Sequence, residues 1–142
     1  MIKKHASILL CLCLLCGLAA GCAGRVPDFI DLTKMSDTLR SAELANVTAN
    51  PVKYLGKTIK LGGTYQAEYY EPASRYYHGV YVFDAAACCQ SGLEFQWNGQ
   101  HRYPDDYPEN GTAIEVTGVL ASYKELGRTN YRLLVDEVVV TG

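Results

Sequence analysis

Cys88 and Cys89 stand side by side at the end of the stretch Ala85-Ala86-Ala87, and no other pair in the sequence has comparable reactive potential. Adjacent cysteines close an eight-membered disulfide ring only if the peptide between them distorts, so such a bond is strained and easily reduced. As thiolates the same pair suits a soft ion, copper(I) or zinc, with His78, His101 or a carboxylate completing the shell. Cysteine metal sites usually leave about two residues between ligands, and an adjacent pair lacks that reach. A third reading makes both cysteines small apolar residues of a tight turn, one facing in and one out. The sequence leaves the three open. His78 sits mid-strand among tyrosines, where a packed or surface imidazole is the commoner role. His101 lies in a long polar segment and reaches the cysteines only if that segment folds back over them.

The tyrosines form the other constellation. Tyr69, Tyr70, Tyr76, Tyr77 and Tyr81 fall within one pair of strand-like segments, with Tyr103 and Tyr107 further on. They read either as packing for a small sheet or as an aromatic face for a protein, peptide or glycan partner. Asp105, Asp106 and Glu109 match no calcium-loop spacing. No Ser/His/Asp order, phosphate-cradling glycine loop or paired-carboxylate arrangement stands out. The expected function is therefore a binding or accessory role without catalysis and without a cofactor. The alternative is a thiol redox or zinc- or copper-binding protein built on Cys88 and Cys89.

The N-terminus bears on where such chemistry takes place. Lys3 and Lys4 precede an uncharged run from Ala6 to Leu18, 13 residues long. A membrane-spanning helix needs about 20, so the run fits the core of a secretory signal. It ends in Leu18-Ala19-Ala20-Gly21-Cys22, which matches the lipobox of bacterial lipoprotein signals: an aliphatic residue, small residues for a narrow peptidase cleft, then a cysteine whose thiol takes lipid. The expectation is cleavage before Cys22, with residues 1–21 removed. Lipid on Cys22, palmitate included, would then hold the chain at the bacterial cell envelope, on the outer face of the plasma membrane or on the outer membrane. Removing 21 of 142 residues leaves 121, enough for a lipidated tether over residues 22–35 and one domain over 36–142. Without Lys3 and Lys4 there remain 11 basic against 15 acidic side chains, a formal charge of −4. That acidity points away from nucleic acid as a partner. Three of the six cysteines leave with the leader and one is the anchor, so no disulfide framework remains.

The elements that must position these residues are strands. Ser36 to Leu44 reads as a short helix. Asn50-Pro51 opens a helical turn that Gly56 ends. Ile59, Leu61, Gly63, Tyr65 and Ala67 then alternate with polar or small residues, the period of a half-buried strand, and Gly62-Gly63 suggests a bulge. Further strands are expected over 76–84, 93–97, 113–121 and 131–140, the last with a phase change at Asp136-Glu137. Polar connections are expected over 98–111 and 125–130. Five strands with a coiled, glycine-bearing first strand suggest a small all-β barrel of the OB type. The motif Asn-Pro-x-x-Tyr-x-Gly-Lys-x-Ile-x-x-x-Gly at 50–63, followed by Gly-x-x-Ile-x-Val-x-Gly at 111–118, resembles the OB-fold modules of small bacterial lipoproteins. The resemblance spans roughly residues 50–140. It implies a fold and carries no catalytic residues. A small β-sandwich is the second expectation.

Overall fold

The computed structural model describes residues 25–83 and 89–142. The leader, the lipobox with Cys22, and Cys88 therefore lie outside the described residues. Within them run β1 (Phe29–Asp31), α1 (Asp37–Ala49), β2 (Thr58–Tyr70), β3 (Arg75–Phe83), β4 (Gln90–Trp97), β5 (Ala113–Glu125) and β6 (Arg128–Val140). Short 3-10 turns occupy Leu32–Lys34, Pro51–Tyr54 and Glu71–Ala73.

β2, β3 and β4 pair antiparallel in succession, β4 runs parallel to β6, and β6 pairs antiparallel with β5. β5 also pairs with the first half of β2. The fold is thus mostly β and barrel-like, with six strands and one helix among the described residues. Alternation turns one side of each strand inward: Ile59, Leu61 and Tyr65 of β2 and Leu133 and Val135 of β6 are fully buried. Each such aliphatic side chain contributes about 1.5–3 kcal/mol by leaving water.

Several details depart from the sequence expectations. The segment read as a tether is partly built in, because β1 pairs parallel with the start of β2 and both Ile30 and Leu32 are buried. A three-residue strand is too short to show a period. The helix continues past Leu44 to Ala49 and seats Leu44 and Val47 in the core, whereas Leu39 is exposed. Ser36 precedes it without a side-chain cap.

The Gly62-Gly63 pair makes no bulge. Both residues keep register with β5, and at Thr64 the strand changes partner from Ala113 to Tyr81. At that corner a Cβ on Gly63 would lie 2.4 Å from the Tyr81 carbonyl oxygen, so glycine is there for close approach. The connection expected over 125–130 shrinks to Leu126-Gly127, both at positive φ (48° and 76°), which is the backbone a tight hairpin turn requires. The phase change expected at Asp136-Glu137 is a bulge: Val116 faces Val138 and Gly118 faces Val135, leaving two residues of β6 against one of β5. The polar connection expected over 98–111 is irregular and runs to Thr112.

Candidate functional site

Alternation along β2 and β3 divides the tyrosines that the sequence grouped as one face. Tyr69 and Tyr76 are cross-strand partners on the side that turns inward lower in the barrel, with ring centroids 5.1 Å apart. Tyr76 also meets Tyr103 of the 98–112 connection at 4.3 Å. Tyr70 and Tyr77 meet edge to face at 5.7 Å on the outer side. Tyr81 is spent on packing: its ring lies over Gly79 and Gly92, where an added Cβ would come within 2.5 and 2.4 Å of ring carbons.

The outer side carries a charged network that the sequence reading did not single out. Arg75, first residue of β3, directs Nε and one Nη to the two oxygens of Glu125 on β5, at 2.7 and 3.2 Å. The same Nη reaches Glu94 on β4 at 3.3 Å and the Tyr123 hydroxyl at 3.1 Å. The guanidinium lies 3.8 Å from the centre of the Tyr77 ring. Tyr77 donates its hydroxyl to Glu125, and Tyr123 donates to Glu94. Arg132 on β6 sits 4.2 Å from the centre of the Tyr123 ring and 3.9 Å from Glu94. The hydrogen bonds from Arg75 and then Tyr77 hold the Glu125 carboxyl below its ordinary range. Burial disfavours the Arg75 charge, but Glu125 and Glu94 outweigh it and raise the guanidinium's affinity for its proton. Burial, then the bond to Glu94, raises Tyr123, so its hydroxyl stays a donor.

Above this floor opens a groove of about 590 Å³ between the β2–β3 and β5–β6 hairpins. Tyr70, Tyr77 and Tyr123 supply its rings, while Glu68, Glu94, Glu125, Arg128 and Asn130 supply its polar lining. Outward-pointing glutamates in otherwise apolar strands, as in Leu93-Glu94-Phe95, were the available signal. Which strands bring them together depends on register, which one sequence does not print.

The remaining expected site residues stay apart from this network. His78 on β3 shares a 2.7 Å hydrogen bond through Nδ1 with the Tyr65 hydroxyl and stacks on Tyr107 at 4.0 Å. Burial, and secondarily the Arg75 charge, pushes its imidazole down to about 4. His101 stacks on Trp97 at 3.8 Å, with Nε2 3.1 Å from the Asn98 carbonyl oxygen. Cys89 is exposed just before β4. Among the described residues no group of three or more His, Cys, Asp and Glu is placed to hold a metal ion.

No protein-family model matches the chain, and no curated protein matches it. Among solved structures it is similar to the dimeric N-terminal domain of the PriB protein from Thermoanaerobacter tencongensis. The TM-score is 0.37 at 15% identity, over 60% of this chain and 96% of that one. Two expectations are corrected: the exclusion of nucleic acid as a partner, and with it the assignment to a membrane-tethered accessory role for protein, peptide or glycan ligands. Acidic overall charge was too coarse a criterion, because a groove is set by its own lining and not by the sum over the chain. So remote a likeness transfers no ligand to this chain. What it binds has to follow from its own residues.

Proposed function

We propose that this chain is an OB-like binding module that takes single-stranded nucleic acid in the groove between its two hairpins. The pairing order supports the OB plan: β2 serves both β3 and β5, and β4 lies parallel to β6, with β1 as an added short strand. OB barrels bind extended ligands on this side, between the hairpin tips.

The observation that carries the reading is the set of three tyrosine rings, Tyr70, Tyr77 and Tyr123, lining one open groove. Every nucleobase has a π-face, and stacking on an aromatic side chain is worth about 1–3 kcal/mol per base. Arg75 and Arg132 neutralise Glu94 and Glu125, so the floor does not oppose a phosphodiester as bare carboxylates would. Tyr77 and Tyr123 are held by their hydroxyl bonds before any ligand arrives, which lowers the ordering cost of binding.

Anisotropy of a labelled oligothymidine titrated with the protein tests this. Saturable binding is expected, weakened about tenfold by Tyr70→Ala, the loss of one stacking contact. Tyr70 is 45% exposed, so its removal leaves the core intact. Absence of saturable binding, or equal affinity in the variant, refutes the proposal. Lipid on Cys22 is a separate proposal resting on the lipobox. The intact mass of protein extracted from membranes decides it: an unmodified, uncleaved N-terminus rejects it.

A further inference from the structure

We propose that Arg128 is the residue that takes a backbone phosphate in this groove, and that the groove makes this single phosphate contact. The inference rests on the nucleic-acid reading and specifies how the polymer is held. Arg128 opens β6 directly opposite Glu125 in the β5–β6 ladder. Glu125 would be its natural ion-pair partner across the strands. Its two oxygens are instead engaged by Arg75 and by the Tyr77 hydroxyl. Arg128 is thereby left exposed, with no ion pair among the described residues, while lining the groove.

The other two arginines here are committed: Arg75 to Glu94 and Glu125, and Arg132 to Glu94 and the Tyr123 ring. Asn130 lies two residues beyond Arg128 on the same side of β6 and also lines the groove, so an amide stands beside the guanidinium. A planar guanidinium suits phosphate through paired N–H donors. Glu68 also lines the groove, with no ion pair among the described residues, and its charge would disfavour a phosphate placed beside it. Rings therefore supply most of the affinity, and one cation fixes the backbone.

Salt dependence reads this directly, because each phosphate neutralised on a single strand contributes a slope of about −0.7 to log K against log salt. Oligothymidine binding by the whole protein is expected to show a slope of about −0.7, far shallower than that of a binder with many phosphate contacts. Arg128→Gln should bring the slope close to zero and Arg128→Lys should retain it. An unchanged unfolding midpoint in Arg128→Gln shows that the hairpin is intact. As a second arm, a methylphosphonate oligomer, whose backbone is uncharged, should bind wild type and Arg128→Gln alike. If wild type binds and the slope is steep, or is unaltered in Arg128→Gln, this inference falls and the groove reading stands. If wild type binds no oligomer at all, both fall.

Discussion

His78 makes the fold sensitive to acid, and the size of the effect follows from its surroundings. The imidazole is held between the Tyr65 hydroxyl and the Tyr107 ring, and its affinity for a proton falls from the ordinary 6.5 to about 4. Burial is the first cause and the Arg75 charge the second. The folded state thus prefers the neutral ring. Between pH 6.5 and 4 the unfolded chain binds a proton that the folded chain refuses, so stability falls as pH falls through that window. The full loss is on the order of 3 kcal/mol, with about 2 kcal/mol gone by pH 5; these are upper figures, because the ring is partly open to solvent. Urea midpoints of wild type and His78→Phe, measured from pH 7 to pH 4, isolate the contribution. Phenylalanine keeps a ring against Tyr107 and cannot titrate. The two curves should converge as pH drops, since wild type alone loses the histidine term. Curves that stay a constant distance apart refute the assignment.

Arg75→Met removes the cation that joins β3 to β4 and β5, leaving Glu94 with Arg132 and Glu125 with the Tyr77 hydroxyl. Stability should drop by about 1–2 kcal/mol after allowance for partial exposure, and Arg75→Lys, which cannot fork, should not restore it fully. Urea titration measures both. Gly63→Ala places a methyl 2.4 Å from the Tyr81 carbonyl oxygen and should cost about 2 kcal/mol through forced movement of β3, whereas Gly62→Ala meets nothing closer than 3.6 Å and should cost less.

Where burial alternates, the sequence was enough to locate the strand. β2 and β5 show period 2 for most of their length because one side of each faces a single core. Even the shift at Asp136-Glu137 was visible as a change of phase. Features that depend on a distant partner were hidden. β1 is a strand because Thr58 to Lys60 lie beside it. Arg128 to Asn130 look like loop residues because both neighbours of that arm are polar, yet they pair with Tyr123 to Glu125. The tyrosines announced an aromatic surface and not its division, since Tyr69 and Tyr70 differ only by one step of the pleat. Arg75, Glu94 and Glu125 are ordinary surface charges in sequence and become a network only through register. His78 is packed through the Tyr65 hydroxyl, a contact that depends on a residue of the neighbouring strand, and Cys88 lies outside the described residues.

The change of partner at Thr64 has a consequence for how the molecule opens. One continuous strand belongs to two ladders, to β5 before the corner and to β3 after it. Neither half of the sheet owns a complete set of strands, so neither can detach and leave the other intact. Exchange of the Leu61 and Tyr65 amides should therefore report a single opening free energy, although they lie on opposite sides of the corner. This domain should melt as one cooperative unit.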